Sequence, residues 1–188
     1  MDQLFDKTIV RCEKLTEEEI EEVAQEIRRF QKSDSSDFGR LDSLLMILQR
    51  VCFMNEKLVY KYKSLVAEFL VYPEDTVIAG TALETLFHLW KLYDEYLDYV
   101  KGYMREVECY NNEFLRCRAI TIAGCYVSET GDKDCLQLLS DIMQDEREEE
   151  NIRNVACHAF MRGMQYNSHE VSQEAKLKFL QKRKSLGL

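Results

Sequence analysis

An all-α fold is the class this sequence predicts, and three observations predict it. The chain of 188 residues holds one proline and seven glycines. Those residues punctuate turns and strands, so their scarcity points to helices joined by short connections. Leu, Glu, Lys, Ala, Met and Gln, all good helix formers, fill the rest. No Asn-Gly or Asp-Gly pair separates two alternating apolar runs, so no hairpin is predicted. The length suits one domain with a sizeable core, and 46% hydrophobic with 31% charged residues is a globular balance. The pattern yields nine or ten helices.

In chain order, "TEEEIEEVAQEIRRF" opens on Thr16, with Glu19 three residues later, a capping box. "SDSSDFG" is the clearest loop. "FGRLDSLLMILQRVCFM" is a strongly apolar helix and closes an irregular N-terminal part, 1–55. Three two-helix units follow at about 56–91, 92–128 and 129–166. A C-terminal helix over 168–184 starts at Ser168 and turns basic towards Gly187.

The stretch "KLYDEYLDYVKGYMREVECY" holds five tyrosines and five acids. On a helical wheel Tyr93, Tyr96, Leu97, Val100, Tyr103, Met104 and Val107 share one face, and Asp94, Glu95, Asp98, Arg105 and Glu106 the opposite one. Tyr93 and Tyr96 are thus expected in the core, Tyr103 at its edge with its hydroxyl near water, and Tyr110 at the flank. Tyr99 lies at the flank, where with Glu95 and Glu106 it forms an acidic–aromatic rim suited to a basic protein.

Three segments line up: "DTVIAGTAL", "LRCRAITIA" and "IRNVACHAF". Their alanines Ala79, Ala119 and Ala156 recur at offsets of 40 and 37 residues. Each follows a polar turn and a preceding helical pattern. This recurrence resembles the HEAT repeat and its armadillo-like relatives, whose second helix often reads Val-Arg-x-x-Ala-x-x-Ala-Leu. "NIRNVACHAF" matches through Ile152, Arg153, Ala156, Ala159 and Phe160. "FLRCRAITIA" keeps Leu115, Arg116 and Ala119, while "EDTVIAGTAL" keeps Ala79, Ala82 and Leu83 but lacks the arginine. The resemblance covers about residues 56 to 165 and implies a short right-handed α-solenoid whose second helices line a concave side.

On those helices the non-core stripe reads Val77, Thr81, Glu84, His88; Cys117, Thr121, Gly124, Ser128; and Asn154, His158, Met161, Gln165. Glu84, His88, Thr121, Asn154, His158 and Gln165 are the candidate partner contacts. A second candidate is the turn before "NIRNVACHAF". Asp145, Glu146, Glu148, Glu149 and Glu150 place five acids in six positions, more than capping the next helix requires.

The net charge of −9 repels phosphate backbones, and the stripe is no Lys/Arg ladder, so nucleic acid is not the expected partner. No apolar run reaches the roughly eighteen residues of a membrane span. The start of the chain lacks a basic-then-apolar secretory pattern. The seven cysteines show no paired short spacing and read as buried hydrophobes of a reducing cytosol. The three histidines form no metal motif, no phosphate loop is present, and neither cofactor nor metal is expected. The expected function is therefore non-catalytic protein binding in the cytoplasm, with a basic partner. The resemblance also covers bacterial immunity proteins that neutralise a basic toxin. The alternatives are a generic scaffold, or a HEAT-like enzyme such as a lyase or nucleic-acid repair activity, the latter needing a basic groove.

Overall fold

The computed structural model describes residues 3, 6–7, 14–31, 37–53, 55–71, 75–105 and 113–164. From residue 17 onward these form eight α-helices and one π segment, with no strand among the described residues. The helices are α1 (Glu17–Gln31), α2 (Phe38–Cys52), α3 (Glu56–Ala67), α4 (Thr76–Leu83), α5 (Tyr93–Met104), α6 (Glu113–Thr130), α7 (Lys133–Gln144) and α8 (Glu150–Gly163). The π segment, Glu84–Leu89, runs on directly from α4. The helix expected over 168–184 lies outside the described residues. The chain divides into two compact units, residues 1–97 and 98–188, with the boundary inside α5.

In the first unit, local chemistry sets each helix start. Thr16 and Glu19 close the capping box reciprocally, with the Thr16 amide donating to Glu19 Oε2 at 2.7 Å and the Glu19 amide to Thr16 Oγ1 at 3.2 Å. Asp37, Asn55 and Asp75 accept amide hydrogen bonds at the starts of α2, α3 and α4. The core is built from Val23 and Ile27 of α1, Leu41, Leu44 and Leu48 of α2, Tyr62 and Val66 of α3, and Leu83, Leu86 and Phe87 further on.

Polar stitches join α2 to the α4–π stretch. Thr81 donates to Asp42 at 2.8 Å, Gln49 Nε2 to Thr85 Oγ1 at 2.9 Å, and Trp90 Nε1 to the Gln49 carbonyl at 3.3 Å. Thr81 was expected on an exposed stripe. It is buried instead, because its hydroxyl finds this carboxylate partner across the helix pair. The π segment ends where Trp90 donates to the Thr85 carbonyl, and Lys91 then turns the chain at φ 55°.

Glu21 of α1 accepts from Lys61 Nζ at 2.8 Å, Arg28 Nη1 at 2.9 Å and the Tyr62 hydroxyl at 2.9 Å. Lys61 above all, then Arg28 and Tyr62, holds its carboxyl at about 2, below the usual 4.5. A depressed carboxylate stabilises the fold fully above the unfolded-state value and loses that contribution as pH falls through the folded one. Urea midpoints of the wild type and Glu21→Gln should therefore differ at pH 7 and converge between pH 4.5 and about 2. The side chain is a third exposed, so solvent screening limits the difference to about 1 kcal/mol. A constant gap across that window would show that Glu21 does not act through its charge.

The second unit is organised around α6. Gly131, at φ +72°, ends α6, and Asp132 caps α7 by accepting from the Cys135 amide at 2.7 Å. α6 packs chiefly on α8. A Cβ on Gly124 would lie 2.6 Å from the Ala159 carbonyl oxygen, and one on Gly163 would lie 2.8 Å from Val127 Cγ1. Gly124 was expected on the exposed stripe. It is buried because the missing side chain lets the α8 backbone come this close. In α5, Tyr96, Val100, Tyr103 and Met104 are buried while Tyr93 is half-buried. Tyr103, expected at the core edge, is covered too.

Candidate functional site

The five-acid turn between α7 and α8 is a built feature. The Glu148 amide donates to the Asp145 carbonyl at 3.1 Å, and the Arg147 amide to Asp145 Oδ1 at 3.0 Å. The Arg147 side chain folds back on the same carboxylate, Nε to Oδ1 at 2.9 Å and Nη2 to Oδ2 at 2.7 Å. This contact holds the Asp145 carboxyl at about 2.

Glu148 faces inward. Its two oxygens accept from Nη1 and Nη2 of Arg116 at 2.7 and 2.6 Å, a bidentate pair. Arg116 is 3% exposed, and its Nε donates to the Met104 carbonyl at the end of α5, at 3.0 Å. One guanidinium thus ties α5, α6 and the acidic turn together. Beside it, Met104, Ile142, Arg105, Asp141 and Asp145 join the pair in lining a pocket of about 230 Å³.

With Asp145 and Glu148 engaged, Glu146, Glu149 and Glu150 stand exposed on the pinned turn. The sequence picked out all five acids as one group. It did not separate the two that hold the turn from the three that face solvent, because the pairing depends on Arg116, 32 residues earlier in the chain.

The other predicted contacts fall in two places. Glu84 and His88 lie half-buried on the π segment in the first unit. In the second unit Thr121 is exposed, its hydroxyl donating to the Cys117 carbonyl at 2.8 Å. Asn154 is half-buried and His158 exposed, one turn apart on α8, and Tyr99 is exposed on α5. Gln165 lies outside the described residues.

Among the described cysteines, Cys52, Cys135 and Cys157 are buried, and Cys117 and Cys125 are half-buried. Burial pushes the Cys52 thiol up to about 12 and the Cys135 thiol to about 11. Cys125 Sγ accepts from Arg162 Nη1 at 2.9 Å. No group of His, Cys, Asp or Glu among the described residues is arranged to hold a metal ion. No described helix is long and apolar enough to cross a membrane. No protein-family model, curated protein or solved structure matches this chain.

Proposed function

We propose that this chain is a non-catalytic, HEAT-like protein-binding protein whose partner is basic. The observation that carries the reading is the pinned acidic turn. Three glutamates, Glu146, Glu149 and Glu150, are exposed on a backbone fixed by the Asp145–Arg147 and Glu148–Arg116 pairs. A charged patch that is already ordered loses little conformational freedom on binding, and complementary charge speeds encounter with a basic surface. The net charge of −9 adds long-range attraction of the same sign.

Two further features support the repeat reading. Arg116 and Arg153 recur 37 residues apart at the same place in consecutive second helices, and small residues at Gly124 and Ala159 let those helices touch. Within this class, an immunity protein that covers a basic toxin is the specific version, with a cytoplasmic site of action. An adaptor for another basic client is the general one.

The test is a pull-down from the native organism at low and high salt. It compares the wild type with a Glu146→Lys, Glu149→Lys, Glu150→Lys variant. The wild type should retain a basic protein at low salt and release it at high salt, and the variant should not retain it at all. Equal capture by both proteins at both salt levels would remove the acidic turn from the interface. A captured nuclease whose activity the chain inhibits would establish the immunity version.

A further inference from the structure

Two backbone outliers lie almost side by side in the first unit. The stretch Glu84–Leu89 is π-helical, and Lys91, which is not a glycine, sits at φ 55°. A π turn is an α turn with one residue more in it, and such turns are rare and concentrate at functional sites. A lysine in the left-handed region is strained. Conformations of this kind persist where their surroundings hold them.

Gln49 of α2 holds this one from outside the helix. The Trp90 amide donates to the Thr85 carbonyl at 2.8 Å, which closes the wide turn. Gln49 grips both ends of that bond. Its Nε2 donates to Thr85 Oγ1 at 2.9 Å, and its carbonyl accepts from Trp90 Nε1 at 3.3 Å. The Thr85 hydroxyl donates onward to the Thr81 carbonyl at 2.7 Å. Thr85 and Trp90 are buried, so protein groups rather than water satisfy these donors and acceptors.

In an α register the Trp90 amide would bond the Leu86 carbonyl instead, and the indole would swing round the helix axis away from Gln49. Glu84 and His88 ride on the same stretch, both half-buried. Residues four apart stack on one face of an α turn. The wider π turn draws them apart around the axis.

We propose that Gln49 is the latch of a helix with two registers. Latched, the stretch is π and Trp90 is held on Gln49. Unlatched, it relaxes to α, Trp90 leaves the Gln49 carbonyl, and Glu84 and His88 come together as a stacked pair. The register thus sets the polar surface that the first unit presents at these two residues. A partner that grips the stacked pair selects the α register. The inference concerns the first unit alone and does not rest on the basic-partner reading.

Trp90 is the single tryptophan of the chain, so its indole N–H is an unambiguous reporter. The test is NMR on the whole chain, with relaxation dispersion and hydrogen exchange of the indole and the backbone amides. In Gln49→Met and in Thr85→Val, indole exchange with solvent should quicken about fivefold, as the loss of one hydrogen bond implies. Dispersion should appear over residues 84–92 while the α1 amides stay as in the wild type. Thr85→Ser keeps the hydroxyl and should match the wild type. Val23→Ala on α1 weakens the same core away from the latch and should leave Trp90 unchanged. In the double variant Gln49→Met, Thr85→Val, the coupling across the Trp90 amide hydrogen bond should move from the Thr85 to the Leu86 carbonyl.

A coupling that stays on Thr85 would overturn the proposal, as would an indole in Gln49→Met as protected as in the wild type. Dispersion that Val23→Ala reproduces, or that spreads through the whole unit, would be general loosening and would overturn it too. Loss of helical circular dichroism in both Gln49→Met and Thr85→Val would make these contacts a structural tie rather than a latch.

Discussion

Replacing Arg116 with methionine should lower the unfolding free energy by about 3 kcal/mol. The loss has three parts. The Met104 carbonyl loses the Nε–H donor, Glu148 loses its bidentate partner, and the acidic turn loses its tie to α6. Glu148 is about a fifth exposed, so its carboxylate can turn towards water, which keeps the cost at the lower end of the range for broken buried pairs. Glu148→Gln should cost less, since one side-chain oxygen still accepts from the guanidinium. The double variant Arg116→Met, Glu148→Leu should recover much of the loss, because it removes both charges together. Urea unfolding of the four proteins measures this. Equal stability of the wild type and Arg116→Met would show that the pair contributes nothing net to the fold.

Gly124→Ala should cost about 2–3 kcal/mol, a large effect for a single methyl group. The methyl would fall 2.6 Å from the Ala159 carbonyl oxygen and 2.7 Å from its Cα. Both are main-chain atoms of α8, so no flexible side chain can move aside and the two helices must separate. Alanine is otherwise the better helix former by roughly 1 kcal/mol, so the sign of the change isolates the packing effect. A stabilised Gly124→Ala protein would mean that α6 and α8 can separate at this contact without loss. Gly39 is the contrasting position. Its Cβ would meet nothing closer than 4.0 Å.

These positions mark what was legible in the sequence. The helical class, the capping box at Thr16 and Glu19, and the burial of Tyr96, Val100 and Met104 follow from local rules of period and capping, and the structure has them. Thr81 and Gly124 did not, although the same wheel placed them. A wheel fixes an angle but not how near the neighbouring helix comes. Small residues are where it comes nearest, so a row that looks polar or empty can be buried. The π segment at Glu84–Leu89 was also hidden, since one extra residue in a turn leaves no mark in composition or spacing. The candidate site was half legible. The acids of the α7–α8 turn stood out as a run, but their division into holding and facing groups needed a partner from a different helix.

The thiols bear on how the chain meets oxidants. At neutral pH a thiol held near 11 or 12 is almost wholly protonated, and the protonated form is a poor nucleophile. Cys52 in the first unit and Cys135 in the second are thereby shielded twice, by lack of access and by lack of thiolate. Alkylating reagents reach them only as fast as the surrounding helices open. Their labelling rates, read separately by mass spectrometry, form a clock for opening in each compact unit. Cys117 and Cys125, half open to solvent, supply the fast reference against which that clock is set.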